Sequence, residues 1–130
     1  MNILIKNGLP IVSLKLQIGN KSTILSNVLL DTGCAVSVFD TDKLKEIDLF
    51  INYTEGKAVR MYGIGGMSEW CYEQAIPSIF INMHEFKGLK LQLGSINNTH
   101  GFDGIIGNDI MMKIGMVIDF RQLKILEVPS

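Results

Sequence analysis

Apolar residues in this chain come in short runs separated by turn residues, and that rhythm admits a small all-β fold and little else. Between residues 11 and 18, Val12, Leu14, Leu16 and Ile18 alternate with Ser13, Lys15 and Gln17, the period of two of a half-buried strand. Gly19-Asn20-Lys21 supplies turn chemistry, and residues 22–25 read as the returning strand. Residues 27–30 form an apolar run that stops at Asp31-Thr32-Gly33, and residues 36–39 are again strand-like. Further strands are expected at 57–62 and 67–74, joined by Gly63-Ile64-Gly65-Gly66, and at 77–83 and 88–93. Residues 94–104 read as a polar loop, and 116–120 with 123–128 as a closing hairpin. Short helices fit residues 41–47, capped by Asp40 or Thr41, and 108–114, capped by Asn108 and stopped by Gly115.

At 130 residues and 14.5 kDa, the chain is expected to form one domain spanning residues 1–130, hiding roughly two-thirds of its unfolded surface. Its 47% hydrophobic and 19% charged residues exclude a disordered or fibrous chain. A net charge of −1 leaves no basic stripe for a phosphate backbone, so no nucleic-acid partner is expected. No apolar run approaches the ~18 residues of a membrane span, so no membrane partner is expected either. The first eight residues lack the pattern of a secretion signal, and the spacing of Cys34 and Cys71 asks for no disulfide. A reducing, cytoplasmic setting is the expectation. Glycine is the unusual component, 13 residues where average usage would give about 9.

Asp31 is where the sequence stops being generic. A carboxylate ending an apolar strand is costly unless it has partners or a task. Gly33 lets the backbone turn and approach another chain closely, and Thr32 offers a hydroxyl. Taken alone, Asp-Thr-Gly is equally an ordinary strand-to-turn junction. Phosphate loops of actin-like and sugar kinases also carry Asp and Gly, but in far longer chains with paired α/β domains.

Two further segments, in order, change that reading. The run Leu29-Leu30-Asp31-Thr32-Gly33-Cys34-Ala35-Val36-Ser37, the segment Met61-Tyr62-Gly63-Ile64-Gly65-Gly66-Met67, and Gly104-Ile105-Ile106-Gly107-Asn108-Asp109-Ile110 together resemble the retropepsin-like aspartic proteases. These are the single-domain relatives of pepsin, and the resemblance covers about residues 10 to 128. It implies a small closed β-barrel-like fold with a flap hairpin, one short helix near the C-terminus and a C-terminal hairpin. It further implies an aspartic endopeptidase active as a homodimer on peptide or protein substrates, each subunit supplying Asp31 as its catalytic carboxylate. Two such carboxylates about 3 Å apart share one proton, and no metal or other cofactor is required. A mildly acidic optimum follows, since one carboxyl must stay protonated.

By the same resemblance, Thr32 and Gly33 support the catalytic loop. Tyr62, Gly63, Ile64, Gly65 and Gly66 form the substrate-binding flap. Leu29, Val36 and Ile105 are candidate pocket walls. Asp103, beside Gly104, reads as a loop-capping carboxylate rather than a second acid. The alternative is a catalytically silent dimerisation or peptide-binding module with the same fold.

The sequence also departs from the family. Cys34 replaces a small Ala or Ser, Ala35 stands where viral members carry an acid, and Asn108 where they carry its paired arginine. With a further strand after residue 120, this pattern resembles cellular or bacterial members more than viral ones. His84 and His100 read as isolated surface or loop residues, and Trp70 and Cys71 as packing residues.

Overall fold

The computed structural model describes residues 1–62 and 68–127. The first half of the chain forms β1 (Leu4–Lys6), β2 (Leu9–Ile18), β3 (Lys21–Leu30), β4 (Val38–Asp40), α1 (Thr41–Lys45) and β5 (Lys57–Tyr62). The second half forms β6 (Ser68–Ile81), β7 (His84–Gly94), α2 (Ile96–His100), β8 (Gly104–Ile106), α3 (Asn108–Ile114), β9 (Val117–Asp119) and β10 (Lys124–Leu126). The chain is mostly β. Six strands close into a barrel in the order β2-β3-β8-β4-β7-β6, with β6 returning to β2 through Leu16↔Ile81 and Gln17↔Phe80. Closure removes the free edges that an open sheet of this size would expose.

Alternation along each strand fills the barrel. Val12, Leu14 and Leu16 on β2 meet Leu25, Val28 and Leu30 on β3, all buried. Each such side chain contributes about 1.5–3 kcal/mol of burial free energy. A smaller apolar cluster gathers Val38, Cys71, Ile96 and Ile105, with Leu29, Cys34, Val59 and Phe102 packed on it. It collects the alternate face of the same strands.

Several elements differ from the sequence expectations. Among the described residues a third short helix joins the two expected ones, because the polar stretch after residue 94 winds into α2 on the single buried anchor Ile96 and ends at Gly101 in the left-handed region. β6 runs unbroken through Pro77, which faces solvent where the β6–β7 ladder passes Gly88, itself at φ +67°. The register omits a Pro77–Gly88 pair, an interruption of the ladder of the kind that tolerates proline in a strand. The closing hairpin is shorter than expected, and β10 also takes the N-terminus as a neighbour: Ile3 N–H donates to Leu123 O and Ile125 N–H to Met1 O, both at 2.8 Å. Gly115 does stop α3, its N–H and that of Met116 turning back onto Met112 and Met111 carbonyls. Among the described residues, no helix is long and apolar enough to cross a membrane.

Candidate active site

Asp31 owes its position to a β-bulge. Between the pairs Val12↔Val28 and Leu14↔Leu25, β2 spends Ser13 while β3 spends both Ser26 and Asn27. The extra residue inverts the side-chain phase, since side chains along a strand alternate between faces. With Leu25 inward and no bulge, the odd-numbered residues up to 31 would face the main core. With it, Val28 and Leu30 turn inward, while Leu29 and then Asp31 belong to the other face. A carboxylate that would otherwise point into the barrel is left half-exposed.

The bulge is clamped from a distance. The N–H groups of Ser26 and Asn27 both donate to Asp103 Oδ2, at 3.2 and 3.1 Å, and Asp103 N–H donates back to Asn27 O at 2.8 Å. Asp103 Oδ1 accepts from Asn97 Nδ2 at 3.0 Å. Asp103 is 5% exposed, so these donors solvate a buried charge. Its role is structural, as the Asp-Gly context suggested, although its target lies far from its own turn.

Beyond β3 the chain makes the tight turn Asp31-Thr32-Gly33-Cys34. Asp31 N–H donates to Ile106 O at 2.9 Å, Cys34 N–H to Asp31 O at 3.1 Å, and Gly33 N–H to Asp31 Oδ1 at 2.9 Å. That last bond is the one the carboxylate accepts among the described residues. Thr32 is exposed, and its hydroxyl has no partner among the described residues.

β8 explains why the loop stands open. It lies between the strands on either side of the turn, parallel to β3 (Leu29↔Ile105, Leu30↔Ile106) and antiparallel to β4 (Val38↔Ile105, Phe39↔Gly104). The loop therefore bridges a gap of one strand. Behind it, Gly107 sits so close that a Cβ there would be 2.4 Å from Cys34 O, and a Cβ on Gly104 would be 2.7 Å from Phe39 Cδ1. Glycine is required at both positions by contact, not by φ, since Gly107 has φ −100°.

The first turn of α3 ties the loop down. Asn108 N–H donates to Cys34 O at 2.8 Å and Asn108 Nδ2 to Thr32 O at 2.8 Å. Buried Ser37 donates its hydroxyl to Asp109 Oδ1 at 2.7 Å and accepts from Gly107 N–H at 2.8 Å, while Ser37 N–H reaches the same carboxylate oxygen at 3.0 Å. Sequence reasoning missed the Asp109–Ser37 anchor. A carboxylate at a helix start, two residues beyond an obligatory glycine, was the available signal.

Cys34 packs beside the carboxylate. Burial pushes its thiol pKa up, a backbone hydrogen bond at Val36 works against that, and the charges of Asp31 and Asp109 push it further up. A thiol so held is a neutral packing group at physiological pH, not a nucleophile.

Of the expected pocket walls, Leu29 and Ile105 are cross-strand partners in the smaller apolar cluster, and Val36 is half-buried behind the loop. Tyr62 is the last residue of β5, and Gly63, Ile64, Gly65 and Gly66 lie outside the described residues. The hairpin arms leading to them pair Lys57↔Glu73 through Tyr62↔Ser68. Cys71 packs as expected, whereas Trp70 is 62% exposed, with the Arg60 guanidinium 4.5 Å from its ring centroid. His84 is not isolated: its Nε2 lies 2.8 Å from Glu127 Oε2. Among the described residues, no three His, Cys, Asp or Glu side chains gather to hold a metal ion. Comparison with known proteins finds no protein family and no curated protein that this chain matches.

Proposed function

We propose that this chain is a retropepsin-like aspartic endopeptidase that works as a homodimer, with the Asp31 carboxylates of two copies meeting at a two-fold axis. One observation carries the reading. Asp31 sits on a turn pinned from behind by the Gly104–Ile106 strand and Gly107, with one oxygen held by Gly33 N–H and its side chain half-exposed. A single chain offers one such acid, and it also leaves Leu4, Leu9, Val117, Phe120 and Leu126 exposed on its terminal strands and turns, apolar surface that a second copy would cover.

In the dimer, repulsion between carboxylates about 3 Å apart leaves one proton shared by the pair. The ionised acid takes a proton from water, whose oxygen attacks the scissile carbonyl carbon. The protonated acid gives its proton to the carbonyl oxygen. Collapse of the resulting diol breaks the C–N bond, and the amine leaves with the proton first taken from water. The Thr32 hydroxyl, without a partner among the described residues, is available to bond the partner's loop. Leu29 and Ile105 favour extended peptides with apolar side chains beside the cut.

The test is a peptide-library digest by the chain and by Asp31→Asn, beside a measurement of mass against concentration. Cleavage by the dimer, lost by at least about a thousandfold in the variant, is expected. Equal rates in both would remove Asp31 from the chemistry. No cleavage by either would leave a silent peptide-binding or dimerisation module.

A further inference from the structure

Among the described residues, one peptide unit donates to the Asp31 carboxylate, and its orientation is set from outside the turn. The Thr32–Gly33 peptide directs its N–H at Asp31 Oδ1 over 2.9 Å, while its C=O accepts from Asn108 Nδ2 at 2.8 Å. No peptide bond in the described chain is cis, and in a planar trans amide the N–H and C=O point in opposite directions. Whatever fixes the carbonyl therefore aims the N–H. Thr32 and Gly33 are both exposed, so water competes for that carbonyl unless a protein donor holds it. Asn108 can do so because it is itself fixed: it is half-buried, it opens α3, and its own N–H is spent on Cys34 O.

The bond does more than hold. A donor on the amide oxygen draws electron density toward it and makes the N–H of the same amide a stronger donor. The chain Asn108 Nδ2–H to Thr32 O, then Gly33 N–H to Asp31 Oδ1, is thus a two-bond relay ending on the carboxylate.

We infer that Asn108 is a positioning residue for Asp31, its side-chain amide orienting and polarising the Thr32–Gly33 peptide that binds the carboxylate. The catalytic consequence rests on the endopeptidase reading above, but the relay can be observed without turnover. Asn108 stands where the sequence departs from viral members. In this structure it spends its side chain on the backbone of the acid's own turn rather than on a neighbouring charge.

The experiment follows the Gly33 amide by NMR in the wild-type chain, in Asn108→Ala and in Asn108→Asp, each compared with wild type at the same pH. At pH 7 the Gly33 proton is expected to move upfield in both variants, and its solvent exchange to accelerate on the order of tenfold. The Asp31 amide, bonded to Ile106 O, keeps its position. In Asn108→Asp the introduced carboxyl donates to Thr32 O when protonated and cannot when ionised. Its Gly33 signal therefore returns to the wild-type position as pH falls below about 4, and departs as pH rises through that range. Asn108→Ala shows no such recovery. Where peptide cleavage is present, kcat falls roughly five- to tenfold in Asn108→Ala while KM stays within twofold. A Gly33 signal unmoved in both variants, or an Asn108→Asp signal that fails to recover at low pH, overturns the inference. A wild-type chain that cleaves nothing overturns the endopeptidase reading instead and leaves the amide measurement to decide on the relay.

Discussion

Replacing Asp103 with alanine removes the carboxylate that accepts from two adjacent backbone N–H groups, those of Ser26 and Asn27, where the β2–β3 register slips. Asn97, the third donor, is exposed and can turn its amide to water. Each unsatisfied N–H costs about 1–3 kcal/mol, and partial water entry into the vacated space trims the pair to about 3 kcal/mol. That is a large share of the roughly 5–15 kcal/mol of a domain's stability. With an m-value near ~1.5 kcal/mol/M, the urea midpoint drops by about 2 M. Asp103→Asn keeps a carbonyl oxygen for both N–H groups and is expected to lose only about 1 kcal/mol. Equilibrium urea unfolding with unchanged m measures both, and hydrogen exchange at Ser26 and Asn27 shows where the damage lies. An alanine variant within about 0.5 kcal/mol of wild type would refute the clamp. So would an asparagine variant as damaged as the alanine one, because charge rather than acceptor placement would then be the cause.

Further outcomes follow from the Asp31 turn. Gly107→Ala forces a Cβ to 2.4 Å from Cys34 O and should cost more than about 3 kcal/mol in thermal or urea unfolding, whereas Gly19→Ala, with nothing within 4 Å and only φ +60° against it, should cost about 1 kcal/mol. Similar losses in the two would show that the Gly107 contact is relieved by small shifts. Because the folded state raises the Cys34 thiol pKa above its ordinary 9.0, the fold binds that proton more tightly than the unfolded chain does. Stability from this source is full below pH 9.0 and falls as pH climbs through the raised value. Iodoacetamide should alkylate Cys34 more slowly at pH 8 than in the urea-unfolded chain, and Asp31→Asn should speed it, since a charge that holds the proton on is gone. Equal labelling in folded and unfolded chains would count against this.

What the sequence makes legible here is local. Alternation in residues 11–18, the Asp-Thr-Gly turn, and a helix ended by Gly115 all express rules that act within a few neighbours, and the structure contains each of them. The bulge is the instructive failure. Reading separate runs at 22–25 and 27–30 leaves Ser26 as a gap, whereas the structure has one continuous β3 with an extra residue there. Nothing near Ser26 announces the bulge, because the group that stabilises it is Asp103, which the chain delivers from 76 residues beyond Asn27. The path of β6 through Pro77 is hidden for a similar reason, since the break in pairing opposite Pro77 falls at Gly88 on β7. For Asn108 the sequence shows a polar residue at a helix start but not the use of its amide, which depends on how α3 meets the turn.

The insertion of β8 between β3 and β4 has a consequence for the order of folding. Both strands that frame the Asp31 turn exist by residue 40, yet neither pairs with the other, and the three residues that join them come only at 104–106. A chain emerging from the ribosome therefore carries its acid for more than half its length before anything can hold the turn in shape. Contacts of such sequence separation are late and slow to form, because the intervening loop must be closed before they reward the chain. On the proposed reading, an emerging chain lacks a formed Asp31 turn until Gly107 has been made, a delay set by connectivity that adds to the need for a second copy.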